Sequence, residues 1–255
     1  METTYNEQIL TESFKRSVID GVNNFKPINL QTYVLGDKGE AKLKFILNQI
    51  LEKINKVELM ELLYTSAKEL IVNSTKASIK RLIFEENGVD LTKEISDSMM
   101  EKFKDSLTDK KFPYFRKLMK EKGYKVNIKF YFDSSKFILK IINNFPLLQG
   151  EEVRIRQKFV QAKKYDNLFE YYMDHSDHTE GAGMGITLVE ILLVQSGYDR
   201  HLFTIYSKNG SSGETIAKLE IPINGNYKPK RFIFEDLLNQ GIDLDKLRGE
   251  FKHNE

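Results

Sequence analysis

The stretch EGAGMGITLVEILLVQSG, from Glu180 to Gly197, joins a glycine-rich start to a long apolar segment. Glycines at the start of a helix let the backbone approach a ligand closely, and the free N–H groups and the positive end of the helix dipole favour an anion. Gly197 follows the apolar segment at the position where a left-handed C-cap is common. The stretch therefore predicts a largely buried helix whose first turn either holds a phosphate group or serves as a flexible structural turn.

The glycine spacing excludes two common phosphate-binding motifs. A P-loop requires Gly-Lys-Ser or Gly-Lys-Thr, which this stretch lacks, and the glycines of the dinucleotide fingerprint are spaced differently. The rest of the chain must therefore decide between a ligand site and a structural turn.

The composition narrows the class of protein. The chain has 255 residues, of which 40% are hydrophobic, so it can bury one sizeable core. Its 39 basic and 37 acidic residues give a net charge of +2, which does not favour nucleic acid as a partner. Cysteine is absent, and neither an apolar signal segment nor a run long enough to span a membrane is present. We therefore expect a soluble, cytoplasmic protein that binds neither nucleic acid nor a membrane.

Hydrophobic periodicity divides the chain into helices and hairpins, because apolar residues recur at three- and four-residue steps in some segments and alternate in others. The predicted elements are, in order, a strand at 31–35, helices at 40–55 and 57–84, a charged helical segment at 91–122, a hairpin made by KVNIKFYFD and KFILKIINN, a helical segment at 151–172, the glycine-rich helix, a hairpin made by LFTIYSK and ETIAKLEIPI, and a helix at 234–252. Residues 1–30 are expected to be irregular. This order predicts an α/β fold of the α+β type, a two-layer sandwich with a mixed, mostly antiparallel sheet and helices on one face.

The second helix carries polar side chains within KELIVNSTKAS. Glu69 and Asn73 are four residues apart and share a helix face, and Lys76 lies three residues further on. Asparagine is a mediocre helix former, so its presence on a face that should be apolar needs a reason. Its carbonyl oxygen could ligate a hard cation such as Mg²⁺, and Glu69 could activate a water molecule. A solvent-facing polar stripe is the alternative.

Taken together and in this order, three motifs resemble those of the histidine-kinase-like ATPase superfamily (GHKL, with the Bergerat fold). Its members include sensor histidine kinases, anti-sigma-factor serine kinases, the gyrase B subunit and MutL. ELIVNSTKAS is similar to the N box, EGAGMGITLVEILL to the second glycine box, and GETIAKLEIP to the element that closes the site. The resemblance implies an ATPase domain at 57–224 with a helical insert at about 86–122, an N-terminal extension at 1–56 and a C-terminal helical extension at 225–255.

The resemblance also implies a site for Mg-ATP, or for another purine nucleotide. Asn73 corresponds to the Mg²⁺-binding asparagine, Glu69 to the general base of hydrolysing members, and Thr215 to the threonine at the adenine end of the site. The residues implied to bind the nucleotide are Asn73, Lys76, Asn143, Gly181, Gly183, Met184, Gly185 and Thr215.

One motif departs from the family pattern. The first glycine box usually reads Asp-Asn-Gly after a strand, and its aspartate accepts a hydrogen bond from the adenine amino group. Here the residues are Asn143, Asn144 and Phe145. An asparagine can donate as well as accept. Three outcomes therefore stay open: acceptance from adenine, donation to the O6 atom of guanine, or loss of nucleotide binding.

The implied function is a nucleotide-binding module of bacterial signalling that phosphorylates a protein partner in trans or changes conformation on binding. Hydrolysis of ATP through Glu69 is a further possibility, and a nucleotide-free pseudo-kinase that holds a protein partner is the alternative. Autophosphorylation of the sensor-kinase type is not expected, because the four histidines, His175, His178, His201 and His253, lie outside the N-terminal helices. A homodimer formed through the apolar stripe of the first predicted helix is compatible with each function.

A polar cluster precedes the glycine-rich stretch and consists of Asp174, His175, Asp177 and His178. These residue types can ligate a metal, but no fixed element imposes ligand geometry on them. The polar hinge of a lid over the site is the interpretation that we prefer.

Overall fold

The computed structural model describes residues 9–89, 97–175, 184–208 and 213–247. Its strands are β1 (Ile28–Thr32), β2 (Val126–Phe132), β3 (Lys136–Asn143), β4 (Phe203–Lys208) and β5 (Glu214–Pro222). They form a five-stranded sheet in the order β1-β2-β3-β5-β4, and each described pairing is antiparallel. The predicted fold class, an α/β fold of the α+β sandwich type, is therefore confirmed.

The helices surround this sheet. They are α1 (Glu12–Asn23), α2 (Asp37–Lys53), α3 (Met60–Glu86), α4 (Asp97–Ser106), α5 (Phe112–Lys122), α6 (Gln149–Ala162), α7 (Leu168–His175), α8 (Met184–Gln195) and α9 (Lys230–Asn239). Short 3₁₀ turns lie at Val57–Leu59, Asp109–Lys111 and Arg200–Leu202. Among the described residues, no helix combines the length and the apolar character that crossing a membrane requires.

The main core lies between one face of the sheet and helices α1, α2, α3 and α8. Alternate residues of the strands enter it, as Ile128 and Phe130 do from β2 and Leu139 and Ile141 do from β3. A second cluster joins the last turns of α3 to α5. Helix α3 contributes to both clusters, so its orientation is fixed along its length. The polar residues predicted on this helix are therefore held on a rigid element.

Several of the predicted elements differ from the structure. The helix predicted at 234–252 is α9, which begins at Lys230 and ends at Asn239, before Gly241 takes a φ of 83°. The helical segment predicted at 151–172 is divided into α6 and α7. Helix α1 lies within residues 1–30, which we expected to be irregular. Its N-cap Thr11 accepts a hydrogen bond from the Phe14 amide at 3.4 Å, and Val18 and Val22 are buried. Strand β1 begins and ends earlier than the predicted strand at 31–35, because Ile28 and the residues after it pair with β2.

The expected end of the glycine-rich helix is confirmed. Gly197 has a φ of 77°, in the left-handed region that glycine adopts without strain. The Tyr198 amide then donates to the Leu193 carbonyl at 2.9 Å, which satisfies a carbonyl that the helix leaves free.

Candidate functional site

Helix α3 and the first turn of α8 meet at a polar face. A Cβ atom on Gly185 would lie 2.3 Å from Nδ2 of Asn73 and 2.9 Å from Oε2 of Glu69, so glycine permits an approach that any larger residue would disturb. Glu69 and Asn73 lie one turn apart on α3, and both are half-buried. The structure thus brings together three residues that the sequence motifs assigned to one site, although these residues come from two separate helices.

The side chains of Glu69 and Asn73 both carry oxygen atoms that could bind a cation at this face. Neither residue makes a hydrogen bond or ion pair with another residue in the described ranges, whereas polar groups with restricted access to water are usually paired. Carboxylate and amide oxygens are the protein ligands that Mg²⁺ prefers, and Mg²⁺ usually takes one or two of them together with phosphates and water. The residues therefore fit a Mg²⁺ site of this kind.

Asn143, at the end of β3, is turned towards α3. The residue is 3% exposed, and its Nδ2 atom donates to the Ser74 carbonyl at 3.0 Å and to the Ser78 hydroxyl at 3.1 Å. A backbone carbonyl can only accept, so the atom that faces Ser74 must be the amide nitrogen. The Oδ1 atom accepts from no residue that the structure describes. Among the described residues, Asn143 therefore keeps an unpaired acceptor, Oδ1, whereas both of its N–H groups are engaged.

Thr215 lies directly beside Asn143, because the two residues are register partners on β5 and β3. Its hydroxyl donates to the Phe145 carbonyl at 2.8 Å. The Phe145 ring is 8% exposed and lies 3.9 Å from the guanidinium carbon of Arg81, which belongs to α3. The chain after β3 is thus tied both to β5 and to α3, and an aromatic ring fills the position where the family pattern has a glycine.

A buried ion-pair cluster holds the N-terminus of α6 against α3. Arg81 donates to both carboxylate oxygens of Glu151, at 3.2 and 2.8 Å, and to the Pro146 carbonyl at 2.8 Å. Lys80 reaches the same carboxylate at 3.2 Å. Because Arg81 and Glu151 are 4% and 12% exposed, this cluster fixes the segment that follows β3 at a site that water barely reaches.

The charges in this cluster influence one another strongly. Burial raises the pKa of Glu151, but the hydrogen bonds and charge of Arg81, the charge of Lys80 and the Leu148 amide outweigh it and lower the pKa to about 2. Burial lowers the pKa of Lys80, and the carboxylate of Glu151 opposes this effect. Glu151 is therefore ionised at neutral pH and serves as the counter-ion of two cations.

The remaining predicted site residues are resolved to different extents. Lys76 is half-buried on α3 and has no ion pair within the described ranges. Gly181 and Gly183 lie outside the described residues, and of Met184 only the backbone at the start of α8 is described. Asp177 and His178 of the polar cluster also lie outside them. Where the structure does describe the chain, no group of three or more His, Cys, Asp or Glu side chains could hold a metal ion.

Sequence reasoning missed the residues that surround the site. Ser78 lies within the stretch KELIVNSTKAS but was assigned no role there, and Arg81 and Glu151 belong to no motif. Glu151 lies 70 residues from Arg81 along the chain, so spacing carries no sign of their pairing. Glu190 was missed for another reason. It is the one carboxylate in the apolar run ITLVEILLV, and this interruption is a signal that the sequence does contain.

Comparisons with known proteins give little further information. No family model matches the chain, and no solved structure matches it. The chain is 26% identical over 199 residues to a protein of Treponema pallidum (strain Nichols) that bears the name "Uncharacterized protein". The matched region covers 78% of this chain and 38% of that relative, so the chain spans well under half of the length of the relative.

Proposed function

We propose that the protein binds a Mg-purine nucleotide between α3 and the first turn of α8. The observation that carries this proposal is the approach of Gly185 to Asn73 and Glu69. It brings the start of an apolar helix, where the first backbone N–H groups have no partner within the helix, next to two side chains whose oxygen atoms lack partners in the described ranges. Phosphates at the helix start and Mg²⁺ on Asn73 would complement these groups.

The order of the residues along α3 supports a nucleotide in an extended arrangement. Asn73 and Glu69 would contact the phosphates of the nucleotide. Ser74 and Ser78 hold the side chain of Asn143, which would contact the base together with the neighbouring Thr215. The free Oδ1 of Asn143 would accept from the exocyclic amino group of adenine and would repel the O6 atom of guanine. We therefore propose ATP, rather than GTP, as the nucleotide.

The chemistry that we propose is phosphoryl transfer to a protein partner, with hydrolysis as the reaction in its absence. Bound Mg²⁺ would neutralise charge on the transferred group. Glu69 would accept the proton of the attacking hydroxyl or water, since it lies beside Asn73 and is not engaged in an ion pair within the described residues. Such a module would act in the cytoplasm in bacterial signalling, where ATP is supplied.

Calorimetric titration with ATP, ADP and GTP, each with Mg²⁺, tests the proposal. We expect micromolar affinity for ATP that Asn73→Ala reduces at least tenfold, because one of the few protein ligands of the metal is lost. Asn29→Ala, at an exposed position of β1, is the control and should bind as the unmodified protein does. ATP affinity that is unchanged in Asn73→Ala would refute the proposal.

A second candidate function rests on the ring of Phe145. This ring packs between Arg81 and Tyr124, with centroid distances of 3.9 Å and 5.6 Å, at the base end of the proposed site. If these side chains occupy the volume that a base needs, the protein is a nucleotide-free pseudo-kinase that holds a protein partner through its surface. Absence of binding to any of the three nucleotides would favour this function.

A further inference from the structure

Glu190 is a buried carboxylate that the proposed nucleotide chemistry does not use. It lies on α8, five residues after Gly185, and is 3% exposed. Its Oε2 atom is buried and has no hydrogen-bond partner in the part of the chain that the structure describes. An ionised carboxylate in such a position is costly, because a buried charge requires a close partner. The structure therefore describes an arrangement that suits the protonated, neutral side chain.

The nearest cation is Arg200, which is engaged elsewhere. Its Nη1 atom donates to the Ala162 carbonyl at 3.1 Å, and its Nη2 atom donates to Asp166 at 3.1 Å. The distance from Nη1 to Oε2 of Glu190 is 3.9 Å, longer than a hydrogen bond. Arg200 thus fastens the junction between α6 and α7, residues 163–167, to the segment that follows α8.

Charged groups from three neighbouring parts of the chain act on Glu190. They are Arg200 and Asp199 at the 3₁₀ turn after α8, Lys163 at the end of α6, and Arg231 on α9. Burial raises the pKa of Glu190 to about 7, although the three cations oppose this effect. A change of charge at this carboxylate would alter the electrostatic force on Arg200, because Nη1 of Arg200 and Oε2 of Glu190 are 3.9 Å apart in a buried place.

We propose that Glu190 and Arg200 form a proton-operated latch between the glycine-rich helix and the α6–α7 junction. When Glu190 is protonated, Arg200 keeps its hydrogen bonds to the Ala162 carbonyl and to Asp166, and the α6–α7 junction stays bound to the segment after α8. When Glu190 is ionised, its carboxylate attracts Arg200 across the distance of 3.9 Å and competes with those two acceptors. The hydrogen bonds from Arg200 to the α6–α7 junction then weaken, and the junction opens more often.

The latch gives the proposed nucleotide site a means of regulation. Glu190 and Gly185 lie on the same helix, about 7.5 Å apart along its axis. A shift of Arg200 towards α8 therefore acts on the helix whose first turn faces Asn73 and Glu69. This consequence rests on the proposed function, whereas the latch itself does not.

Hydrogen exchange at pH 6 and pH 8 without nucleotide tests the latch, with rates corrected for the intrinsic effect of pH. We expect residues 163–167 to exchange about fivefold faster, relative to their intrinsic rate, at pH 8 than at pH 6, since a hydrogen bond is lost. Glu190→Gln, which stays neutral, should remain protected at both values. The control Glu61→Gln removes an exposed carboxylate of α3 and should retain the difference.

A direct titration provides a second measurement. The side-chain ¹³C signal of Glu190, assigned by its absence in Glu190→Gln, should titrate with a midpoint near pH 7. A midpoint near that of an exposed glutamate, or equal pH dependence of exchange in Glu190→Gln and the unmodified protein, would overturn the proposal. Failure of every nucleotide to bind would refute the proposed function and leave the outcome of these two experiments unaffected.

Discussion

The Nδ2 atom of Asn73 lies 2.3 Å from the position that a Cβ atom would occupy on Gly185. A larger residue at position 185 would require the Asn73 and Glu69 side chains to move. The motifs that contain these residues are more than a hundred positions apart in the sequence, yet they form one continuous polar face. This contact is the basis of the first prediction.

Substitution of Gly185 by alanine should weaken nucleotide binding strongly and lower the stability of the fold only slightly. The added methyl group would force the Asn73 side chain to rotate away, which costs only about 1 kcal/mol of stability because the end of a side chain can move. The displaced amide could no longer serve as a ligand, so affinity for Mg-ATP should fall at least tenfold. Calorimetric titration and urea denaturation measure the two effects.

Gly150→Ala is the matched control for this substitution. Gly150 lies in α6, and nothing lies within 4 Å of the position of its Cβ atom, so alanine should leave both affinity and fold intact. Equal ATP affinity in Gly185→Ala and Gly150→Ala would show that the contact between α3 and α8 is structural and carries no ligand.

The fold was largely predictable because its elements follow local patterns. The two hairpins alternate residue by residue, and α3 repeats at three and four residues, so their type could be assigned without tertiary information. Helix α1 was missed because its exposed face is highly charged and it buries only Val18, Gly21 and Val22. The capping signal of Thr11 was present in the sequence, three residues before Phe14.

The candidate site was predictable only in part. Glu69 and Asn73 share a face by helical geometry alone, and the resemblance to a known family linked them to Gly185. The state of Asn143 could not be predicted, because its orientation depends on Ser74 and Ser78, which approach it through tertiary packing. The same holds for Arg81 and Glu151, whose pairing brings distant segments together.

The orientation of Asn143 leads to a prediction about the base. Because its nitrogen is committed to Ser74 and Ser78, its oxygen should favour adenine, and ATP should bind at least tenfold more tightly than GTP. Asn143→Leu removes the acceptor and should abolish this preference. Competition between the two nucleotides in a fluorescence assay measures it.

The exposed neighbour Asn144 provides the control for this prediction. Among the described residues its side chain bonds to the Gly123 carbonyl and the Lys125 amide, just before β2, and to neither Ser74 nor Ser78, so Asn144→Leu should retain the preference for ATP. Asn143→Asp, which restores the residue of the family pattern, should lower the free energy of unfolding by about 1–3 kcal/mol because a carboxylate would face the Ser74 carbonyl. A preference for GTP in the unmodified protein would contradict our interpretation of this residue.

The ring of Phe145 distinguishes the two candidate functions. Phe145→Ala would remove a buried ring and should lower the free energy of unfolding by about 3–5 kcal/mol. If the ring occupies the volume needed by a base, this variant should bind ATP more tightly than the unmodified protein. Phe115→Ala, in the cluster between α3 and α5, removes an equally buried ring and should lose stability without gaining affinity. Equal ATP affinity in both variants and the unmodified protein would show that Phe145 does not obstruct the site.

The carboxylate of Glu151 should govern stability in acid. Its pKa is about 2 in the folded protein, against an ordinary value of 4.5, so the folded state is favoured by its ionised form. This stabilisation is complete above about pH 4.5 and is lost as the pH falls from 4.5 towards 2, since the unfolded chain then binds the proton first. The difference between the two pKa values corresponds to about 3 kcal/mol.

Glu151→Gln should therefore lower the free energy of unfolding by about 3 kcal/mol at pH 7, because Arg81 and Lys80 would remain buried without a counter-ion. Between pH 4.5 and pH 2 the stability of the variant should also fall less than that of the unmodified protein, because the variant has no carboxylate at position 151 to titrate. The adjacent Glu152 is the control, since its partner Arg156 is exposed and Glu152→Gln should cost less than about 0.5 kcal/mol. Urea denaturation at pH 7 and pH 3 compares the two variants. Equal losses in both would mean that the buried cluster contributes no more than a surface ion pair.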